Sequence, residues 1–214
     1  MPDTIMRLYY SPGSSSLASH IALVEVGLPF EAERVDEHTK AMAGGSDYRQ
    51  VHRLGYVPAL RLGDGTLLTE GAAILQHVAE LAPQRNLVPP AGTVERVRLQ
   101  AWLNFLSSEV HKGGFSPLFN PAMPEAAKRI FRDRLALRLA HLDGHLTAHE
   151  HLLASGYSVA DPQCFVVASW ANWVDVDLTP YPDLRAHRAR IGERPAVQAA
   201  LAAEGMVPWP DRAP

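Results

Sequence analysis

Ile5-Met6-Arg7-Leu8-Tyr9-Tyr10-Ser11-Pro12-Gly13-Ser14-Ser15-Ser16-Leu17 decides the fold. Ile5 to Tyr10 is a β-prone run, Ser11-Pro12-Gly13 closes it, and Leu17, Ile21, Val24 and Leu28 then recur with helical spacing. A second strand near Phe30 to Val35 follows the Gly27-Leu28-Pro29 break. The three elements make a βαβ unit whose crossover is expected to be right-handed and whose strands are expected to be parallel. Function is expected where the first strand hands over to its helix.

Downstream, Gly44 to Leu54 is polar and irregular, and Pro58 to Leu62 and Thr66 to Leu68 flank the hairpin signal Gly63-Asp64-Gly65. From Glu70, the residues Ile74, Val78 and Leu81 mark a helix that stops at Ala82-Pro83, and Pro89-Pro90 stiffens the connector that follows. Beyond Thr93 only helical periodicity is found, roughly over Val94 to Lys112, Pro124 to His149, Val159 to Val174, Asp183 to Ile191 and Ala196 to Ala203. The expected organisation is an α/β domain over 1–82, a linker over 83–93 and an all-α domain over 94–214. The tail from Pro208 is read as either frayed or a packed strap.

Composition narrows the chemistry. The net charge is -3 with acids and bases interspersed, so no basic field exists to track nucleic acid. No apolar run approaches the roughly 20 residues that span a bilayer, and Met1-Pro2-Asp3-Thr4 does not begin a signal peptide, so a cytoplasmic, membrane-free protein is expected. Cys164 is the single cysteine, which excludes an intrachain disulfide, a CxxC pair and a cysteine zinc site. It lies in a helical, mostly apolar segment and is read as a small buried hydrophobe. Thiol chemistry would have to use a thiol from outside the chain. His141, His145 and His149 share one helical face and are read as a solvated face rather than a metal site. No metal is expected.

Three segments carry the binding signal. Ser14, Ser15 and Ser16 place hydroxyls and amides at the start of the first helix, where an anion is favoured, although the same residues suit an N-cap. Val57-Pro58 enters a strand, and a cis bond there would turn the Val57 backbone toward an extended peptide. Thr69-Glu70-Gly71-Ala72 crosses from strand to helix, so Glu70 can meet an ammonium and the amides after it a carboxylate.

In their order and spacing these segments resemble the glutathione transferase superfamily, especially its bacterial beta class, over nearly the whole chain. Trp102-Leu103-Asn104-Phe105, Ser107 to Lys112, Phe115-Ser116-Pro117-Leu118-Phe119 and Arg194-Pro195-Ala196-Val197 extend the likeness. Tyr157-Ser158-Val159-Ala160-Asp161 is similar to the superfamily's helix-start motif: Ser158 is expected to cap the Asp161 amide and Asp161 to answer the Ser158 amide. The resemblance implies a thioredoxin-like βαβ-α-ββα domain followed by an all-helical one. It implies that Ser15, Lys40, Val57, Pro58, Glu70, Gly71, Ser108, Glu109, Val110 and His111 line a glutathione site, with Asn104 contributed by the neighbouring subunit of a homodimer. It also implies an apolar electrophile cleft between the domains, walled by His111, Phe115, Phe119 and Trp170.

At one position the chain departs from that pattern: beta-class members usually carry cysteine where this sequence has Ser15. Ser14 matches the serine that other classes aim at the glutathione sulfur, and Tyr10 is a third candidate. The implied activity is conjugation of glutathione to small hydrophobic electrophiles. The alternatives are a non-catalytic glutathione-binding or protein-interaction module and, on the missing cysteine the least favoured, a glutathione-dependent disulfide reductase. Lys112-Gly113-Gly114-Phe115 also carries two glycines where family members often have one.

Overall fold

The structure is a computed structural model that describes residues 5–206. The sequence readings of Met1 to Thr4 and of the tail from Pro208 lie outside the described residues. Two compact units are present: the described residues up to Asn86 together with those from Pro195, and Leu87–Arg194.

In the first unit, β1 (Met6–Tyr10), α1 (Ser16–Val26) and β2 (Phe30–Arg34) form the βαβ element, with β1 and β2 parallel. β3 (Ala59–Arg61) and β4 (Leu67–Thr69) are antiparallel, and β3 runs antiparallel to β1, giving the sheet order β2-β1-β3-β4. Leu8 of the central strand pairs with Ala32 on one side and Leu60 on the other. The hairpin closes as its residues dictate: the Asp64 carboxylate accepts the Thr66 amide at 2.8 Å, and Gly65 takes φ +89°. α2 (Gly71–Glu80) buries Ile74, Leu75, Val78 and Ala79, packing against α1 and the end of the sheet. Ile74, Leu75 and Val78 each contribute about 1.5–3 kcal/mol when fully buried.

The second unit begins with α3 (Val94–Asn104), whose first turn is capped by the Thr93 hydroxyl on the Arg96 amide at 3.2 Å. The expected single helix to Lys112 changes character at Phe105: Phe105–Phe115 is wound as a π-helix. The glycine pair accounts for the wider turn. A Cβ on Gly113 would stand 2.9 Å from the Ser108 carbonyl oxygen, and one on Gly114 would stand 3.2 Å from that of Glu109 and 2.8 Å from Leu135 Cδ1. Each carbonyl lies five residues back, the spacing of π-helical bonding. After α4 (Ser116–Leu118), the long α5 (Glu125–Leu146) buries Leu135, Leu139, Leu142 and Leu146, and α6 (Ala160–Ser169) and α7 (Pro182–Gly192) complete the unit.

α6 is buried on all sides, Cys164 included, and burial raises that thiol's pKa strongly. Asp161 lies in the first turn of the helix, and its carboxylate accepts the Ser158 amide at 2.8 Å, the Leu152 amide at 3.0 Å and His187 Nε2 at 2.9 Å. The expected reciprocal box is only half formed: the Ser158 hydroxyl receives the Ala160 amide at 3.3 Å, while the Asp161 amide donates to the Ser158 backbone carbonyl. His151 joins at 3.5 Å, so His151, Asp161 and His187 form a metal-like cluster, but the carboxylate is already the acceptor for this whole corner.

The expected helical face of three histidines is not formed as such: α5 ends at Leu146, so His149 lies beyond it, and of the two on the helix only His141 is exposed. His145 and His149 are half-buried with rings stacked at 4.4 Å, and Trp102 lies 4.6 Å from His145. Burial first, then His149, lowers the His145 pKa.

The last helix, α8 (Pro195–Ala203), corrects the expected boundary. It packs on α1 in the first unit instead of joining the helical one, burying Ala196, Val197, Ala200 and Leu201.

Candidate active site

The loop between β1 and α1 orders its three hydroxyls unequally. Ser16 Oγ is buried, accepts the Ser11 amide at 3.1 Å and donates to the Ser11 carbonyl at 3.2 Å. A hydroxyl has one proton, so in the 2.8 Å Ser14–Ser16 contact Ser14 is the donor. Ser14 Oγ also accepts the Ser16 amide at 3.3 Å, which commits that hydroxyl to the loop. Ser15 is different. It stands at the N-cap position of α1 without a side-chain capping bond, and its hydroxyl donates across to the Val57 carbonyl at a long 3.3 Å. Its proton is therefore the easiest of the three to redirect. Tyr10 is buried with its ring 5.5 Å from His20, and burial raises the pKa of its phenol.

Sequence reasoning missed what holds this loop from behind. The buried Glu204 carboxylate, just past α8, accepts the Gly13 amide at 2.8 Å and His20 Nδ1 at 2.9 Å. Glu204→Ala is expected to orphan both donors and to cost about 3 kcal/mol, at 1–3 kcal/mol per buried unsatisfied group. Glu204→Gln is expected to cost less, because an amide can accept from Gly13 and donate to the other His20 tautomer. Urea unfolding of the two variants measures the difference.

Lys40 and Glu70 share an unusual backbone: φ is +62° at Lys40 and +66° at Glu70. Non-glycine residues in this region are uncommon and cluster at functional sites. Lys40 is held there by its own amide on the Asp36 carbonyl at 2.9 Å and its carbonyl under the Tyr48 amide at 2.8 Å. Among the described residues neither side chain has an ion-pair partner. Glu70 is exposed at the head of α2, where the Gly71 and Ala72 amides precede the first turn bond, Ala73 to the Glu70 carbonyl at 3.0 Å. The Val57–Pro58 peptide is cis, Pro58 is buried, and Val57 packs on the Tyr9, Val35, Tyr48 and Ala59 cluster.

In the second unit the expected residues divide by role. Ser108 is exposed, as is Asn104, and the Ser108 hydroxyl donates to the Asn104 carbonyl at 2.9 Å. Glu109 is taken by Arg138, at 2.6 Å from Nη2, and Val110 is fully buried, so neither side chain presents a free ligand group. His111 packs edge-on against Trp170 at 4.7 Å, and burial, with Lys112 adding to it, brings its pKa down to about 4. At neutral pH it is an uncharged imidazole. Phe115 and Trp170 are core residues at 0% and 4% exposure, whereas Phe119 at 43% presents a ring to solvent. The expected wall thus reduces to His111 and Phe119 standing on a Trp170 and Phe115 base.

The first unit thus combines a thioredoxin-like βαβ-ββα arrangement, a cis proline at a strand entry, a hydroxyl-bearing helix start and, among the described residues, an ammonium and a carboxylate without ion-pair partners. Residues 14–81 match the family model of the glutathione S-transferase N-terminal domain. Glutathione S-transferase GstA of Escherichia coli O157:H7 is 42% identical over 94% of this chain and 100% of its own length. Glutathione S-transferase GST-4.5 of Xanthomonas campestris is 34% identical, again over 94% of this chain and 100% of the relative. Among solved structures, the bacterial transferase BphK in a ternary complex is 50% identical with a TM-score of 0.91, covering 94% of this chain and 100% of that one. The beta-class enzyme of Sphingomonas chungbukensis is 45% identical with a TM-score of 0.91 over the same shares. The chain belongs to the glutathione S-transferase family.

Proposed function

We propose that the protein conjugates the thiolate of glutathione to small hydrophobic electrophiles, with Ser15 as the hydroxyl that activates the thiol. The observation that carries this reading is the order of donors in the loop before α1: the Ser14 and Ser16 protons are engaged within the loop, and only that of Ser15 reaches outward. Rotation from the Val57 carbonyl to the sulfur lets Ser15 donate to the thiolate, while the N-terminus of α1 favours the negative charge. A charge-assisted hydrogen bond contributes about 1.5–3 kcal/mol and the helix terminus about 0.3–1 kcal/mol. At about 1.36 kcal/mol per unit, the thiol pKa falls by roughly two units from near 8.5. The attacking sulfur belongs to the substrate, and no protein cysteine is needed.

Lys40 and Glu70, without ion-pair partners among the described residues, support binding of the peptide. Glu70 suits the γ-glutamyl ammonium, and the Gly71 and Ala72 amides suit the carboxylate beside it. Lys40 then remains for the glycyl carboxylate. The neutral His111 with Phe119 and Trp170 offers the electrophile an apolar, aromatic contact. Val94 and Val97, 70% and 60% exposed on α3, support self-association as a homodimer. We assign the protein to the cytoplasm; among the described residues no helix is long and apolar enough to cross a membrane.

The test is the pKa of enzyme-bound glutathione, followed by thiolate absorbance across pH, together with turnover of an activated aryl halide. A depressed thiol pKa with turnover is the expected result. Tight binding with an unshifted thiol and no turnover would replace the transferase by a binding module.

A further inference from the structure

We propose that Gly55 is a positioning residue for the glutathione site: its missing side chain is the bed on which the Lys40 stem lies, and this aims the ammonium at the glycyl carboxylate. The inference rests on the reading of Lys40 given above and adds a residue that makes no contact with substrate.

Gly55 is buried at φ +65°, with its amide donating to the His52 carbonyl at 2.7 Å. A Cβ built on it would stand 3.2 Å from Lys40 Cδ and 3.4 Å from both Cγ and Cε. Three successive carbons of one lysine stem therefore follow the bare face of this glycine. At those distances something has to yield. The Lys40 backbone is pinned at both its amide and its carbonyl, so the flexible stem moves and carries the ammonium with it. Such a change is cheap for folding and expensive for aim. A lysine is a point charge on a long stem with large rotamer entropy, and a surface that restricts the stem reduces what binding must order.

Left-handed backbone and lost space can be separated by choice of residue. Asn tolerates positive φ, so Gly55→Asn introduces the Cβ with little backbone penalty, and Gly55→Ala repeats the test if it folds. Gly45→Ala is the control, since Gly45 lies in the Lys40 loop at φ +85° with nothing within 4 Å of its Cβ position. Lys40→Met keeps the stem and removes the charge.

The readout is the ratio of kcat/KM for glutathione to that for its glycyl monoethyl ester, which lacks the carboxylate in question. The parent is expected to favour the free acid roughly tenfold, as one charge-assisted hydrogen bond allows. Lys40→Met is expected to bring the ratio near one and Gly55→Asn to about threefold or below. For Gly55→Asn the KM for glutathione rises and kcat at saturation stays within about twofold, a split that general loosening of the fold would not produce. If Gly55→Asn keeps the parent ratio while Lys40→Met loses it, the inference fails and the Lys40 reading stands. If Gly45→Ala lowers the ratio as far as Gly55→Asn, strain in the loop is the cause and the inference fails. If Lys40→Met keeps the ratio, the Lys40 reading falls and the inference with it.

Discussion

Ser15→Ala is expected to return the pKa of bound glutathione most of the way to that of the free thiol and to lower kcat/KM at neutral pH by roughly 10- to 100-fold, the worth of a charge-assisted hydrogen bond. The loss should be smaller at high pH, where the thiol ionises unaided, so the variant's pH–rate profile moves up rather than simply down. Ser14→Ala is expected to differ in kind. Ser14 donates to Ser16 and accepts the Ser16 amide, so its removal loosens the loop and lowers stability without restoring the thiol pKa. Thiolate absorbance of the two complexes separates the cases, and restoration by Ser14→Ala instead would reassign the activating hydroxyl.

The largest stability effect is expected at Asp161. Its buried carboxylate accepts two backbone amides, the Ser158 hydroxyl and His187, and Asp161→Ala leaves those donors unanswered in the core of the second unit. Orphaning several buried donors at about 1–3 kcal/mol each costs roughly 3–5 kcal/mol, a large part of the roughly 5–15 kcal/mol that a folded protein has in total. The pH dependence follows from the same contacts. Burial by itself would raise the Asp161 pKa, but the imidazoles of His151 and His187 and the Leu152 amide outweigh it and hold the carboxyl below its ordinary 3.8. A folded-state pKa below the unfolded one means that this stabilisation is complete above about pH 4 and is lost as pH falls further. Chemical denaturation between pH 7 and pH 3 should show the parent losing stability at the acid end and Asp161→Ala, already low, losing less. Parallel curves for the two proteins would remove Asp161 from the account.

Much of the fold is legible because it is written locally. The βαβ order, the Gly63-Asp64-Gly65 turn, the break at Ala82-Pro83 and the helical periods each depend on residues within a few positions of one another. Sterics and side-chain period act at that range. The Thr69 to Ala72 strand-to-helix crossing and the Val57-Pro58 entry were readable for the same reason. The Gly113-Gly114 pair was visible as an anomaly, but its result, a π-helix from Phe105 to Phe115, needed the Ser108 and Glu109 carbonyls and Leu135 to be placed beside it.

By itself, then, the sequence determined the order of elements, the absence of any protein thiol at the helix start and the short list of serines, charges and aromatic residues from which a site could be built. Only the tertiary structure decided which partners those side chains have. It put Glu204 behind Gly13 across 191 residues, joined α8 to the first unit, gave Glu109 to Arg138 and laid the Lys40 stem over Gly55. It also set the three serines apart, because which hydroxyl donates within the loop and which donates across to Val57 depends on where Ser11, Ser16 and Val57 place their acceptors. The physical reason is common to all of these. Burial and hydrogen-bond partnership are set by neighbours in space, and neighbours distant in the chain leave no periodicity to read.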